Sequence, residues 1–331
     1  MKIYGGDKSN LKSFSVCAAL KLCGTDTEGF SCISLSLSPA TIATVRIKND
    51  GLYKIINSNS DIMYQCDENK LLDYNDDDIA KHLFRAIAQS KGNICGAEIL
   101  LTHSVDESCF NNSLIAVYTA LNIINNKPQP SINEVASLSD NKKYVDNLFA
   151  CKLYGRKNTV IVKNQKGDVH YLPLNFNTHK LIIARIDSLK ESFFKAIKEL
   201  SQKSTYIQYQ NNEQERVLKI IENITTYKAP NKEFSTILKA SAQELCSLYA
   251  KYGNIIHEAC KTAEETSLPC AVFPAPEYNG ICAITENSKV DDFITSYTKL
   301  YESLAGEKPK FYICNTADSG IELNKMESET I

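Results

Sequence analysis

AEILLTHSVDESCFNNSLIAVYTALNII, residues 97–124, gives the strongest indication of how this chain folds. Residues 97–101 are apolar enough for a buried strand, and residues 102–113 form a polar loop. From residue 114 to 124, apolar side chains recur at helical spacing, at Leu114, Val117, Tyr118, Leu121 and Ile124. A strand, a loop and a helix N-terminus in this order are typical of an anion-binding site.

The sequence before this stretch is rich in strand signals. Apolar residues alternate with serines over 33–38, and a second apolar run covers 41–47. The turn residues Asn49-Asp50-Gly51 then lead into 52–56, which predicts a hairpin between these two runs. The acid-rich segment 73–78 is interpreted as a solvated loop that caps a following helix, or alternatively as a cation site.

The sequence after it alternates between strands and helices. In chain order we predict a hairpin at 159–172, a strand at 181–186, helices through 188–266, and strand, helix and strand at 281–285, 288–304 and 311–314. Ser288 should cap the last helix, Gly306 should end it, and its buried face should include Leu300 and Leu304.

Mixed elements without strict strand–helix alternation predict an α+β fold in two packed domains. We expect the joint between residues 170 and 190. The expected N-terminal lobe is 1–180, the C-terminal lobe is 181–325, and 326–331 is a frayed tail.

The composition is that of an ordinary globular chain, with two exceptions. The 331 residues carry a formal net charge of −2, which gives no overall attraction to nucleic acid or to an anionic membrane. Trp is absent, and the 13 glycines amount to about 4% where roughly 7% is usual. A chain this poor in glycine has little material for backbone loops that wrap a phosphate.

Cysteine and histidine spacing argues against a metal site. None of the 12 cysteines forms a Cys-x-x-Cys pair, and the five histidines have no metal-ligand spacing. No nucleophile-elbow pattern surrounds any serine, so His103, Ser104 and Asp106 do not predict a hydrolase. The N-terminus lacks a secretory pattern and no apolar run approaches a bilayer span, so we expect a soluble, cytoplasmic protein with reduced thiols.

Four further segments, one before residues 97–124 and three after them, belong to the same pattern. They are Thr25-Asp26 followed by Gly29-Phe30, Val145-Asp146-Asn147, Glu215-Arg216-Val217, and the C-terminal stretch 280–323. In order and spacing, the set resembles the galactokinase branch of the GHMP small-molecule kinases. The resemblance covers most of the chain and implies a two-lobed α+β fold with the active site in the cleft between the lobes.

The resemblance also implies roles for individual residues. Asp26 falls in the shortened sugar-binding segment, and Glu215 stands for the first residue of a Glu-x-x-Arg-Val motif at altered spacing. Asp146 matches the catalytic aspartate of a Met-Asp-Gln triplet; from the sequence alone it is equally an ordinary surface or capping aspartate. The phosphate loop, Gly-Leu-Ser-Ser-Ser in the family, would place four residues at the nucleotide, namely Ser108, Asn111, Asn112 and Ser113.

The departures from the family lie where the chemistry should be. The segment 104–113 has no glycine, and Asp106 and Glu107 would repel a triphosphate. The family's C-terminal Gly-rich loop is matched by Phe273-Pro274-Ala275-Pro276-Glu277-Tyr278-Asn279, where proline lacks an N–H and has a fixed φ.

Two hypotheses follow for the function. The first is a galactokinase-like protein, by descent an ATP-dependent sugar 1-phosphotransferase, with weak or no kinase activity. It would use ATP and magnesium if active, and no cofactor otherwise. The alternative is a non-catalytic sugar-sensing or interaction protein on the same fold.

Overall fold

The computed structural model describes residues 11–25, 29–59, 62–104, 109–138, 152–200, 204–251 and 254–322. The strands are β1 (Leu11–Gly24), β2 (Cys32–Ile47), β3 (Leu52–Asn57), β4 (Ile62–Asp67), β5 (Ala97–His103), β6 (Thr159–Lys163), β7 (Val169–Pro173), β8 (His179–Arg185), β9 (Pro269–Ala275), β10 (Gly280–Glu286), β11 (Lys310–Cys314) and β12 (Ile321–Glu322). The helices are α1 (Asp78–Ser90), α2 (Cys109–Ile124), α3 (Ile132–Ser137), α4 (Leu189–Leu200), α5 (Ser204–Tyr227), α6 (Lys232–Ala250), α7 (Ile255–Glu265) and α8 (Val290–Ala305).

This mixture of strands and helices confirms the α+β prediction. By its contacts the chain divides into two compact units that interleave in sequence. The first takes residues from Met1–Ala18, Pro39–Gly155 and Asp318–Ile331, and the second from Ala19–Ser38 and Arg156–Ala317. The units are discontinuous because β1 and β2 each contribute residues to both. The boundary expected at residue 180 falls inside β8. The expected lobes 1–180 and 181–325, with a cleft between them, stay a prediction.

In the first unit, the sheet is built around β5. One side of β5 pairs antiparallel with Thr41–Ile47 of β2, and the other side pairs parallel with β3. β4 pairs antiparallel with β3 at the edge, and β12 pairs with β1. The core lies between these strands and the helices α1 and α2, and it includes Phe84, Ile99 and Leu121.

The hairpin expected between β2 and β3 is wrong, because β5 is inserted between them. Ala97 pairs with Ile47 on one side and with Tyr53 on the other. The turn is bonded to the segment before β5: the N–H of Gly51 donates to the carbonyl of Cys95 at 2.8 Å. The turn residues therefore predict the position of the turn correctly, while the strand that pairs with β2 and β3 comes from some 45 residues further along the chain.

In the second unit, β6 pairs with Cys32–Leu35 of β2 and, as the predicted hairpin, with β7. A separate four-stranded antiparallel sheet has the order β11-β8-β10-β9. Its core is formed with α4, α6, α7 and α8, and it includes Ile182, Phe293 and Tyr297. The predicted run of helices through 188–266 is present as α4 to α7.

The last helix was predicted with the right extent but with the wrong N-terminal cap. Ser288 lies in a 3-10 turn, and Lys289 occupies the cap position without a side-chain hydrogen bond. Gly306 ends the helix as expected, in the left-handed conformation at φ 69°. Leu300 and Leu304 are exposed instead of buried, because the buried face is narrower and carries mainly aromatic rings.

Among the helices that the structure describes, none has the length and apolar character required to cross a bilayer.

Candidate functional site

The predicted phosphate segment lies between β5 and α2 in the first unit. α2 begins at Cys109, five residues before the predicted start, so Asn111, Asn112 and Ser113 belong to its first turns. The side chains of Asn112 and Ser113 are buried. Ser108 lies outside the described residues, as do Asp106 and Glu107.

The described start of α2 offers backbone N–H groups but no positive side chain. The first four N–H groups of any helix lack an intrahelical partner and favour an anion. Asn112 Oδ1 is buried and has no hydrogen-bond partner among the described residues. An amide oxygen is an acceptor, so it suits a hydroxyl, a water molecule or a cation and not a phosphate oxygen.

His103, at the end of β5, does not supply the missing positive charge. Its ring Nδ1 shares a 3.0 Å hydrogen bond with Thr41 Oγ1, and its backbone N–H donates to Asn59 Oδ1 at 3.0 Å. Burial lowers the pKa of His103, so the ring is neutral near pH 7. The described residues 103–104 and 109–113 therefore supply no positive side chain to neutralise a triphosphate, so they fit one poorly.

The resemblance assigns two carboxylates to the sugar. Asp26 and Asp146 both lie outside the described residues. Within the part of the chain that the structure describes, no group of three His, Cys, Asp or Glu side chains is arranged to hold a metal ion.

The segment matched to the family's C-terminal Gly-rich loop is a packed turn between β9 and β10. Residues Pro276–Tyr278 form one turn of 3-10 helix, and Asn279 follows in the left-handed conformation at φ 50°. The N–H of Asn279 donates to the Pro276 carbonyl at 3.1 Å, and Pro274 and Pro276 have no N–H to offer. Tyr278, the last residue of the turn, is buried, and its hydroxyl donates to the Ala19 carbonyl at 2.7 Å.

Glu213 on α5 is the main support of the C-terminal end of β1. It is 1% exposed, and its Oε2 accepts from Gly24 N at 2.9 Å, from Ser241 Oγ at 2.9 Å and from Cys23 Sγ at 3.3 Å. Its Oε1 accepts from Arg216 Nη1 at 2.7 Å. Burial, and then the Glu213 charge, raise the pKa of the Cys23 thiol, which stays protonated and donates.

The sequence analysis singled out Glu215 and did not identify Glu213. Glu215 is exposed, whereas Glu213 stands three residues before Arg216 and fits the Glu-x-x-Arg-Val pattern without altered spacing. The spacing of Glu213 and Arg216 could have predicted this pair, because residues three apart on a helix lie on the same face and can form an ion pair.

A small pocket in the second unit adjoins this network. Its lining includes Gly24, Thr25, Tyr209, Glu213, Ser241 and Phe273, and it encloses about 40 Å³, enough for roughly three water molecules. Thr25 is 2% exposed, and its hydroxyl has no partner among the described residues. A buried hydroxyl without a partner costs about 1–3 kcal/mol, so this group is suited to a hydrogen bond from water or from a ligand.

No family model and no curated protein matches this chain. Solved structures do match. A galactokinase from Lactococcus lactis in complex with galactose has a TM-score of 0.74 and 15% identity, covering 95% of each chain. A Methanococcus jannaschii mevalonate kinase has a TM-score of 0.69 and 14% identity, covering 94% of this chain and 100% of the other.

A homoserine kinase from Cytophaga hutchinsonii has a TM-score of 0.65 and 12% identity, covering 96% of this chain and 98% of the other. These are kinases of the GHMP family, so the chain has the GHMP-kinase fold. Identities of this size establish the fold alone.

Proposed function

We propose that this chain is a galactokinase-like protein that binds a sugar of the galactose type and transfers phosphate weakly or not at all. The packed turn between β9 and β10 carries the proposal. The resemblance matches this segment to a glycine-rich loop that closes around the substrate, and here it is a proline-containing turn whose Tyr278 is buried. Such a turn offers few free amides and little freedom to move.

The start of α2 supports weak phosphate transfer independently. Phosphoryl transfer depends mostly on positioning and on neutralising the phosphate charges. The buried Asn112 oxygen is an acceptor, and His103 is neutral. In the sequence, Asp106 and Glu107 add negative charge just before the helix.

The segment after β1 supports retention of a sugar site. The N–H of Gly24 is fixed by Glu213, and the N–H of Thr25 donates to the Ser31 carbonyl at 3.3 Å. The unpartnered Thr25 hydroxyl immediately precedes Asp26, in the segment that resembles the family's sugar-binding motif. The galactokinase of similar fold was solved with galactose.

The test combines a product assay with a thermal-unfolding titration. We expect galactose alone to raise the melting temperature saturably, while ATP, magnesium and galactose give little or no galactose 1-phosphate. Turnover at the rates usual for enzymes, about 1 s⁻¹ or more, would contradict the proposal.

Any residual activity allows the role of Asp146 to be tested. Asp146→Asn should reduce that activity by about 10²–10⁴-fold, because an amide cannot accept the sugar hydroxyl proton. The matched control is Asp168→Asn, an exposed aspartate in the turn between β6 and β7, which should leave the rate unchanged. A fully active Asp146→Asn variant would remove this residue from the mechanism.

A purely sugar-sensing protein is the second candidate, and the unpartnered Thr25 hydroxyl favours it. It predicts the galactose-induced shift with no product at all. A protein that neither binds galactose nor forms product would instead be an interaction protein on this fold.

A further inference from the structure

The described sheet edges differ in how they are protected against pairing with another chain. An edge strand presents unpaired N–H and C=O groups, and proteins usually blunt it with proline, with lysine or by keeping it short. At the described edges, β9 contains Pro269 and Pro274, β7 ends in Pro173, β11 begins with Lys310, and β12 has two residues. The edge strand β4 has neither charge nor proline over residues 62–66.

Apolar side chains are exposed on and beside β4. Met63 is 59% exposed and Ile62 is 44% exposed, although both lie in a regular strand paired with β3. Leu72 and Ile79, in the segment that follows, are also exposed. On the inner side, Cys66 is buried in the core of the first unit and Tyr64 packs against that core, so the strand is firmly held.

Negative charge surrounds the same strand. Residues 62–79 contain six acidic side chains against the single Lys70. Asp67, Asp73 and Asp76 are exposed. Two consecutive turns keep the chain near the end of β4: the 3-10 turn Glu68–Lys70, and a turn in which the N–H of Asp73 donates to the Lys70 carbonyl at 3.0 Å. Burial raises the pKa of the Cys66 thiol, and the charges of Asp67, Asp73 and Asp76 raise that pKa further.

Not every acid in this segment is available to a partner. Glu68 forms a salt bridge with Lys91 at 2.5 Å. Asp77 caps α1, because its Oδ1 accepts from Ile79 N and Ala80 N at 2.9 Å each.

We propose that the β4 edge surface, defined as β4 with Asp67, Asp73 and Asp76, docks a basic extended segment of a partner polypeptide. The segment adds a strand to β4 through main-chain hydrogen bonds, and its alternate side chains meet the exposed apolar residues. Its Lys or Arg side chains lie against the exposed carboxylates. A second copy of this chain is a poorer occupant, because it brings the same excess of negative charge.

The test uses a fluorescent peptide, Lys-Val-Lys-Val-Lys-Val-Lys, and the full-length protein. We expect saturable binding measured by anisotropy, and slower amide hydrogen exchange at residues 62–67 in the complex. Met63→Lys, which gives β4 the protection that other edges have, should weaken binding at least tenfold. The matched control Ile313→Lys alters an exposed residue on the β11 edge and should leave the affinity within twofold.

Two further reagents separate strand addition from charge attraction. A peptide with proline in place of the central valine and the same charge should bind at least tenfold more weakly, because it cannot pair as a continuous strand. The double variant Asp73→Asn/Asp76→Asn should also weaken binding of the original peptide.

Three results would overturn the proposal. The first is the absence of saturable binding, and the second is equal binding of the proline peptide, which would reduce the effect to non-specific charge. The third is a dimer in sedimentation that Met63→Lys dissociates, since this would make a second copy the occupant.

Discussion

At the residue scale, Glu213 should matter more than any other described carboxylate in the second unit. Glu213→Ala would leave Arg216 with its ion pair to Glu244 and would leave the buried N–H of Gly24 without its acceptor. Removing one partner of a largely buried ion pair costs about 3–5 kcal/mol. We expect a loss of that order in the free energy of unfolding in urea. Glu215→Ala, two residues away and exposed, should stay within about 0.5 kcal/mol; equal losses in the two variants would refute the assigned network.

At the scale of a single element, three consecutive aspartates stand at the start of α1, and each could cap the helix. The structure selects Asp77, whose Oδ1 accepts two backbone N–H groups. Asp77→Ala should cost about 1 kcal/mol of stability, the usual effect of losing an N-cap. Asp76→Ala should cost much less, because Asp76 is exposed and caps nothing. Urea unfolding of both variants measures the two losses in the free energy of unfolding. A larger loss for Asp76→Ala than for Asp77→Ala would show that the cap is wrongly assigned.

The secondary-structure elements and their pairing could be predicted from the sequence only where local residues determine them. Elements set by local pattern were predicted closely, such as the β6–β7 hairpin and the C-terminal end of α8 at Gly306. Pairing set by distant residues was not, because nothing near the Gly51 turn reveals that β5 inserts between β2 and β3. Glu213 was missed for a related reason: its importance comes from contacts with β1 and α6, far away in sequence.

At the scale of the whole molecule, the question is whether a GHMP-kinase fold without the family's glycines still binds nucleotide. We predict that it does not bind Mg-ATP at millimolar concentration. The helix N-terminus at α2 contributes only about 0.3–2 kcal/mol toward an anion. An affinity between 1 mM and 1 µM requires roughly 4–8 kcal/mol. Asp106 and Glu107 act in the opposite direction, since one like-charge contact at 4 Å costs about 4 kcal/mol at an effective dielectric of 20.

A thermal-unfolding titration measures this directly on the intact chain. A ligand present at 100 times its dissociation constant stabilises the folded state by about 2.7 kcal/mol, which moves the melting temperature by several degrees. We expect no such shift with Mg-ATP, whereas galactose, the ligand proposed above, should give one in the same assay. Asp106→Asn/Glu107→Gln should bring the nucleotide closer to detectable binding, because it removes the repulsion without adding bulk. A saturable rise in melting temperature for the unmodified chain would show that backbone amides and magnesium outweigh the two carboxylates, and the kinase hypothesis would then replace the proposal of weak or absent transfer.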